Sequence, residues 1–264
     1  MTKVALTGAT GFIGRHVLAE LRTRSVEVHA DRLDLHGVHG DAFAQLGSPD
    51  VLIHLAWGGL PNYRDRKHSS LELPAQRRFL GAMIAGGLKR LVATGTCAEY
   101  GMREGELDEA LQAEPRLEYA KAKDSLRRWL EGEQREHGFA LTWARLFYMY
   151  GDGQPEFSLL PQLARAAERG DRTFPMSGGE QQRDYMPVTD VARDLVSLAL
   201  NGRDNGIVNV CSGRPISILQ LIQDAISQHG WTIELDRGKY PYATDEPMAF
   251  WGDRKKLDRL LSSA

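Results

Sequence analysis

The feature that most constrains this chain is a glycine-rich segment that directly follows its first apolar run. Lys3–Leu6 has the pattern of a buried strand, and Thr7–Gly14 continues it as TGATGFIG before a helix-like amphipathic stretch. In such a unit Gly8 permits the tight turn, Gly11 lets a phosphate approach the backbone and Gly14 lets the helix pack closely on the strand. The helix start then offers free N–H groups and a partial positive charge to a pyrophosphate. The segment therefore predicts a dinucleotide-binding strand–turn–helix unit.

The composition is that of an ordinary globular protein that is large enough to bury a core. The 264 residues are 42% hydrophobic and 26% charged, and the formal net charge of -2 gives no bulk attraction to nucleic acid or to an anionic membrane. No apolar run approaches the ~20 residues of a membrane span, and no secretion signal is recognisable. The two cysteines, Cys97 and Cys211, have no metal-ligand spacing. We therefore expect a cytoplasmic protein without a metal, whose partner is a small molecule.

The first half of the chain alternates strand-like and helix-like segments, which is the pattern of a parallel α/β sheet. This predicts an α/β fold with a Rossmann-type doubly wound parallel sheet. Ser217 with Gln220 predicts a capping box for a later helix. Further strand-like segments are Val26–Ala30, Val51–Leu55, Leu91–Thr94, Leu141–Leu146 and Gly206–Val210, and helical patterns lie near residues 71–86 and 118–137.

The alternation weakens in the second half of the chain, where residues of about 156–182 have the pattern of a helix followed by a loop. A small substrate-binding lobe interleaved with the main sheet accounts for this change. A ligand cleft is then expected between the two parts, at the carboxyl edge of the strands. The predicted division is a dinucleotide-binding domain at residues 1–152 plus about 184–210, and a C-terminal substrate lobe at about 153–183 and 211–264.

Tyr119 and Lys123 lie four residues apart on a predicted helix and therefore point from one face. A tyrosine has an ordinary pKa near 10, but an adjacent desolvated ammonium favours the phenolate; lowering the pKa by about three units needs roughly 4 kcal/mol. The pair is then able to exchange a proton with a carbonyl or alcohol oxygen, which Thr96 is placed to hydrogen-bond. The spacing alone is common on helix surfaces, but the glycine segment upstream favours the catalytic interpretation.

Several segments together resemble the extended short-chain dehydrogenase/reductases, in particular their nucleotide-sugar epimerase, dehydratase and reductase group. The resemblance covers nearly the whole chain. It implies an oxidoreductase that uses NAD or NADP on a sugar nucleotide, and a homodimer. The matching segments are Thr7–Gly14, His54–Ala56, Thr94–Gly101, the pair Tyr119 and Lys123, Arg145–Phe147, Arg183–Tyr185 and Asn209–Gly213.

The resemblance also implies roles for individual residues. In the family the tyrosine is the acid or base, the lysine also holds the nicotinamide ribose, and a serine or threonine positions the substrate oxygen. The matching residues here are Tyr119, Lys123 and Thr96. The residues expected at the dinucleotide are Gly8, Thr10, Gly11, Phe12, Ile13, Gly14, Asp31, Arg32, Asp34, Leu35, Leu55, Ala56 and Lys123.

Two further residues are implied at the sugar nucleotide beside Thr96. The family's arginine before Asp-Tyr clamps the diphosphate, which assigns that role to Arg183, and guanidinium suits it because its forked donors match phosphate oxygens. A surface ion pair of Arg183 with Asp184 or Asp190 is the alternative. Tyr148 stands where epimerases of the group usually carry asparagine, so we expect it at the substrate in a differently shaped pocket.

The choice between NAD and NADP stays open in the sequence. Asp31 lies at the expected end of the second strand, where a carboxylate accepts hydrogen bonds from the ribose 2′-OH and favours NAD. Arg32 is adjacent and is able to hold a 2′-phosphate, which favours NADP. Asp34 and Leu35 resemble the pair that contacts adenine in the family, although a turn after a short strand explains them equally well.

The residues after Thr96 argue against a dehydratase. Dehydratases of the group carry an acidic pair directly after this threonine, and Cys97 and Ala98 occupy those positions here. The Phe-Tyr-x-Tyr-Gly form at 147–151 instead resembles short reductases of the dTDP-6-deoxy-L-talose 4-dehydrogenase type. We therefore expect NAD(P)H-dependent reduction of the 4-keto group of a nucleotide-linked 6-deoxy sugar. An epimerase that uses NAD catalytically is one alternative, and a nicotinamide-binding sensor without turnover is another.

Other polar residues near these motifs have structural interpretations. His54 at a strand end is expected to pack rather than to react. Cys97 lacks a paired base in the sequence, so a packed thiol is expected rather than a nucleophile. The basic run Arg64–His68 is expected to be a solvated loop or helix start, or alternatively to border the substrate diphosphate.

Overall fold

The computed structural model describes residues 1–30, 33–37, 41–244 and 246–262. Its main strands and helices alternate along the first half of the chain, as the sequence predicts. A π-helical segment covers His68–Glu72, and a 3₁₀ turn covers Cys97–Tyr100. The strands are β1 (Thr2–Thr7), β2 (Val26–His29), β3 (Val51–His54), β4 (Arg90–Thr96), β5 (Gly105–Leu107), β6 (Ala140–Leu146), β7 (Tyr148–Tyr150), β8 (Thr173–Pro175), β9 (Gln182–Pro187), β10 (Gly206–Val210), β11 (Pro215–Ser217), β12 (Glu234–Asp236) and β13 (Phe250–Gly252). The helices are α1 (Phe12–Arg22), α2 (Ala42–Gln45), α3 (Leu73–Ala85), α4 (Glu118–His137), α5 (Leu159–Glu168), α6 (Val188–Leu200), α7 (Ile218–His229) and α8 (Lys255–Ser262).

A six-stranded sheet in the order β10-β6-β4-β3-β1-β2 forms the centre of the molecule, and its neighbouring strands all pair in parallel. Side chains alternate between its two faces, as in β1, where Val4 and Leu6 join one apolar cluster and Ala5 joins the other. The first cluster includes residues of α1, α6 and α8, and the second includes residues of α2, α3 and α4. Helices therefore cover both faces, and the predicted doubly wound Rossmann-type fold is confirmed.

Short strands from the second half of the chain attach to this centre and shape its carboxyl edge. β7 follows β6 directly and pairs with β9, which also pairs with β11. β13 pairs in parallel with β5, and β12 pairs with β8. A separate apolar cluster with Leu163, Ile222 and Ile233 lies under α5 and α7. The two parts of the chain thus interleave, while the domain boundaries proposed from the sequence stay a prediction.

Two local predictions need correction. The helix expected in residues 156–182 ends at Glu168, and the short strand β8 follows it. The capping box at α7 is only half formed, because the Ser217 hydroxyl accepts from the Gln220 N–H (3.0 Å) while the Gln220 amide donates to Asp224. Asp224 lies four residues after Gln220 on the same helix face, and its carboxylate binds the Gln220 amide in place of the Ser217 N–H.

Candidate functional site

The glycine turn after β1 is shaped as the sequence predicts. Gly8 has a φ of 74°, and a Cβ placed on it would lie 2.9 Å from the Ala56 nitrogen. A Cβ on Gly14 would lie 2.0 Å from the Gly8 carbonyl oxygen, so only glycine lets α1 pack this closely on the turn. The turn therefore also abuts the segment Leu55–Ala56 after β3, which brings these predicted cofactor residues together.

The start of α1 is open to a ligand. Gly11 is the N-terminal cap residue, and no described side chain caps the helix. Its first backbone N–H groups, from Phe12, Ile13 and Gly14, have no carbonyl partner one turn earlier within the helix. Thr10 and Gly11 are exposed at the same place. These free donors and the positive end of the helix fit the pyrophosphate of a dinucleotide.

A buried polar network lies beneath the turn, where the sequence predicted a packed histidine. His54 Nδ1 is 2.8 Å from the Thr7 hydroxyl, and His54 Nε2 is 2.5 Å from Gln76 Oε1. The Gln76 amide nitrogen donates to the Ala56 carbonyl, so its oxygen is left to accept from the imidazole. Burial, helped by the Lys123 charge, lowers the pKa of His54 to about 3. His54 is therefore a neutral packing residue.

The adenine side of the predicted site is only partly described. Asp31 and Arg32 lie outside the described residues. Leu35 is 8% exposed and packs in the core, and the Asp34 carboxylate accepts from the His36 N–H in a turn. These contacts favour the turn interpretation of Asp34 and Leu35, because the Leu35 side chain is already covered by protein. A contact of either residue with adenine stays a prediction.

The predicted pair on α4 lies at the carboxyl edge of the sheet, next to the end of β4. The Lys123 ammonium is 3% exposed, donates to the Thr94 carbonyl at 2.8 Å and lies 5.7 Å from the centre of the Tyr119 ring. Tyr119 is half-buried. Thr96 ends the same strand, two residues beyond the carbonyl that holds Lys123. The structure thus places Tyr119 and Lys123 beside the end of β4, the strand that Thr96 closes.

The electrostatics of this pair differ from the sequence expectation. Burial raises the pKa of Tyr119, and the neighbouring Tyr63, Glu99 and Cys97 act in the same direction. Burial also lowers the pKa of Lys123 to about 7. The prediction of a phenol acidified by the ammonium is therefore wrong, because loss of water around the phenol raises its pKa and the neighbouring groups add to the rise. Tyr119 is a protonated phenol at neutral pH.

Thr96 is held in a capping box that the sequence analysis missed. Its hydroxyl accepts from the Ala98 N–H at 3.2 Å, and its own N–H donates to Glu99 Oε1 at 2.9 Å. Glu99 in turn accepts from Arg145 Nε at 2.7 Å and from the Trp143 indole. The same hydroxyl also has a hydrogen bond with the Cys97 side chain. A ligand oxygen at Thr96 would therefore compete with that sulfur for the hydroxyl proton.

Arg183 lies among aromatic rings on the substrate side of the site. Its guanidinium is 4.7 Å from the centre of the Phe250 ring and 5.9 Å from that of Tyr148. The Arg183 side chain is 5% exposed and pairs with Glu246 at 3.0 Å. The alternative of a surface pair with Asp184 or Asp190 is wrong, since Asp184 instead accepts from the backbone of residues 212, 213 and 252.

A cavity of about 50 Å³ lies between the residues that follow Thr96 and Glu246, the partner of Arg183. Its wall is mostly apolar and includes Cys97, Ala98, Leu117, Tyr148 and Phe250. Burial raises the pKa of the Cys97 thiol to about 12. Cys97 is thus a neutral packed thiol, as the sequence predicts. The wall also contains Glu246, but the two positions directly after Thr96, where the resemblance places the acidic pair of a dehydratase, are Cys97 and Ala98.

The sequence analysis missed the residues around Tyr119. The sequence predicts a solvated loop or a helix start at Arg64–His68. His68 does begin the π-helical segment, but it is fully buried, and its ring lies 5.3 Å from that of Tyr119. Trp57 and Tyr63 also contact the tyrosine ring. The two glycines that follow Trp57 were the available signal, because glycine has no Cβ and permits a close approach of another residue to the backbone. A Cβ on Gly59 would lie 3.1 Å from the His68 ring.

The described part of the chain shows neither a metal centre nor a membrane-spanning helix. No group of histidine, cysteine and acidic side chains there is arranged to hold a metal ion. No helix there is long and apolar enough to cross a bilayer.

Comparison with known proteins assigns the family. The profile of the NAD dependent epimerase/dehydratase family matches residues 4–211. dTDP-6-deoxy-L-talose 4-dehydrogenase (NAD(+)) from Aggregatibacter actinomycetemcomitans is 28% identical over 274 residues, with 94% of this chain and 98% of the relative covered. dTDP-6-deoxy-L-talose 4-dehydrogenase (NAD(P)(+)) from Kitasatospora kifunensis is 28% identical over 270 residues, with 92% and 84% covered.

Solved structures share the fold over nearly the full length. UDP-N-acetylglucosamine 4-epimerase from Methanobrevibacter ruminantium M1 superimposes with a TM-score of 0.86 at 21% identity, covering 98% of this chain and 91% of that one. MoeE5, solved with UDP-glucose and NAD, gives a TM-score of 0.83 at 25% identity, covering 98% and 92%. The chain belongs to the NAD dependent epimerase/dehydratase family and is an NAD(P)-dependent enzyme.

Proposed function

We propose that this protein reduces the 4-keto group of a nucleotide-linked 6-deoxy sugar with NADH or NADPH. The observation that carries the proposal is the position of Tyr119 and the buried Lys123 beside the end of the strand that Thr96 closes, so that two residues with O–H groups lie at this sheet edge. Reduction of a ketone requires a proton at its oxygen, and a protonated phenol supplies one. The names of the two talose dehydrogenase relatives support the same chemistry.

In this proposal each residue acts on the substrate oxygen or holds a ligand. Thr96 donates a hydrogen bond to the ketone oxygen, and Tyr119 gives it a proton as negative charge develops there. Lys123 holds a ribose hydroxyl with an N–H that the Thr94 carbonyl leaves free, and the ammonium stabilises the phenolate that remains. The bound dinucleotide supplies the hydride. NAD and NADP are equally open as the cofactor.

The sugar nucleotide is expected to lie against Arg183 and Tyr148. Its diphosphate would replace the Glu246 carboxylate at the guanidinium, because both present oxygen acceptors to the same N–H groups. The apolar wall with Cys97, Ala98 and Phe250 suits the methyl group of a 6-deoxy sugar, since a hydroxyl placed there would lose its hydrogen bonds to water.

An epimerase that uses NAD catalytically is a second candidate. The similarity to an enzyme named as a UDP-N-acetylglucosamine 4-epimerase, and to a Bacillus subtilis protein named as an uncharacterized UDP-glucose epimerase, favours it. An epimerase would retain tightly bound NAD through purification and would interconvert two sugar nucleotides without net consumption of a nicotinamide.

We also propose that the protein is a homodimer, which light scattering in solution tests.

The test is a panel of dTDP-, GDP-, CDP- and UDP-linked 4-keto-6-deoxy sugars with NADH and with NADPH, followed by nicotinamide absorbance. We expect one reduced nicotinamide to be consumed per ketone with at least one member. Tyr119→Phe should lower kcat/KM by about 10²- to 10⁴-fold without a change in unfolding midpoint, because only the proton donor is lost. Absence of turnover across the panel, or interconversion without net oxidation, would contradict the reductase proposal.

A further inference from the structure

The buried ammonium of Lys123 has an unusual set of partners. No carboxylate of the described residues forms an ion pair with it, although the side chain is only 3% exposed. Its Nζ atom donates to the Thr94 carbonyl and lies 4.1 Å from the centre of the Trp57 ring. A buried cation is costly unless a neighbour compensates the lost water. The indole face, as a region of negative potential, is that neighbour here.

The orientation of Trp57 is fixed by a chain of hydrogen bonds. Its indole N–H donates to His68 Nδ1 at 3.1 Å, and His68 Nε2 lies 2.9 Å from the Asn62 carbonyl oxygen. Because the indole can only donate, Nδ1 must accept and Nε2 must carry the proton. His68 is therefore neutral and holds the indole by a single tautomer.

The same residues also contact the catalytic tyrosine. The Trp57 ring meets the Tyr119 ring edge to face at 5.8 Å and 81°, and Tyr63 lies 5.5 Å away on another side. The Tyr119 N–H donates to the Tyr63 carbonyl at 3.0 Å. We call Trp57, Tyr63 and His68 the aromatic shell. All three rings contact Tyr119, and Trp57 contacts Lys123 as well, so a shift of Trp57 would affect both members of the pair.

The charged and titratable groups that face Lys123 come from four elements. Glu99 follows β4, Glu72 lies in the π-helical segment, His54 ends β3 and Tyr119 is on α4 itself. Each carboxylate is bound elsewhere: Glu99 by Arg145, and Glu72 by the Gly58 N–H and His36. His54 and Tyr119 are uncharged at neutral pH. The charges of Glu99 and Glu72 still raise the pKa of Lys123 without an ion pair, whereas Trp57 is the neighbour whose ring lies directly against Nζ.

We propose that Trp57 is the positioning residue of Lys123, and that its indole face holds the ammonium beside Tyr119 without cancelling its charge. The inference rests on the site proposed above. A carboxylate in the same place would also hold the lysine, but its negative charge would offset the field that the phenolate and the ribose require. The indole quadrupole carries no net charge, so that field is retained.

The first test needs no ligand. The Nζ of Lys123 is titrated by NMR with ¹⁵N-labelled lysine in the wild type and in Trp57→Phe and Trp57→Leu, and the signal is assigned by its loss in Lys123→Arg. We expect the pKa of Lys123 to fall by about one unit in Trp57→Leu and by less in Trp57→Phe, whose ring has a weaker quadrupole. Trp129→Leu, a matched change on α4 beside Arg77, should leave Lys123 unchanged.

The second test is NADH binding, followed by fluorescence across the same pH range. The affinity for NADH should weaken about threefold to tenfold in Trp57→Leu. The pH at which this affinity falls should shift together with the pKa of Lys123. If Trp57→Leu does not fold, the smaller shift of the Lys123 pKa in Trp57→Phe tests the inference instead. An unchanged Lys123 titration in folded variants would overturn the inference. If the wild type bound no dinucleotide, the proposed function would fail, whereas the ligand-free titration would still decide the role of Trp57.

Discussion

Two arginine–glutamate pairs flank this site, and they differ in their access to water. Arg145 and Glu99 lie 2.7 Å apart, with side chains only 1% and 0% exposed. Arg183 and Glu246 lie 3.0 Å apart, but the Glu246 side chain is 47% exposed while Arg183 is 5% exposed. Both pairs have the same chemistry. Only the second has a partner that can move into solvent.

The difference teaches how burial separates a structural ion pair from a binding group. Glu99 also accepts from the Thr96 N–H and from the Trp143 indole, so leaving its place would strand several buried donors. Glu246 has water to move into, and its departure would leave a guanidinium open beside the cavity. The first pair therefore orients Thr96, whereas the second would leave Arg183 open to another anion, as the proposed function requires.

The largest expected effect breaks the buried pair. Glu99→Gln leaves Arg145 charged and unpaired, which should lower the free energy of unfolding by about 3–5 kcal/mol in a denaturant titration. Glu246→Gln is the matched control and should change it by less than about 0.5 kcal/mol, because exposed pairs contribute little. Equal losses in the two variants would remove the distinction between the pairs.

The next effect concerns the exchangeable pair. Arg183→Met should weaken binding of a nucleoside diphosphate such as dTDP or UDP by about a hundredfold, because charge-assisted hydrogen bonds to phosphate are lost. Glu246→Gln should instead tighten binding about twofold to threefold, since the competing carboxylate loses its charge. Calorimetry measures both affinities, and the unfolding midpoint of each variant serves as the control. Unaltered affinity in Arg183→Met would place the diphosphate elsewhere.

A smaller effect on the free energy of unfolding, expected at pH 5, concerns His54, a buried histidine that stays neutral in the folded protein. The pKa of His54 is about 3 in the folded protein and about 6.5 when unfolded, so the unfolded state binds more protons between these values. Its contribution to stability is complete above pH 6.5 and falls as the pH drops towards 3, by roughly 2 kcal/mol at pH 5. His54→Gln should abolish this part of the pH dependence in denaturant titrations. His137→Gln, which removes an exposed histidine, should preserve it.

The parts of the fold that regular patterns encode were predictable from the sequence. The expected helix 118–137 coincides with α4, and the glycine spacing located the turn between β1 and α1. The substrate side was less visible. Its strands β5, β7, β8 and β11 to β13 have three residues each, too short for an alternating pattern to be recognised.

Single side chains of the site were missed for a different reason. Glu246 and Arg183 are 63 positions apart, and nothing local in either segment indicates the pairing. His68 ends a run of charged residues, so its neighbours in sequence suggested solvent, whereas tertiary contacts with Trp57 bury it. The capping box of Thr96 and Glu99 matched a known spacing, but the strand prediction ended at Thr94 and left it outside any element.

The pairing of β13 with β5 has a consequence for how the protein is made. The ribosome releases the glycine turn, Thr96 and Tyr119 long before Phe250 and the strand that carries it. A nascent chain is therefore able to order the turn between β1 and α1 while the cavity wall that contains Phe250 is still incomplete. The two sides of the site thus form at different moments of translation.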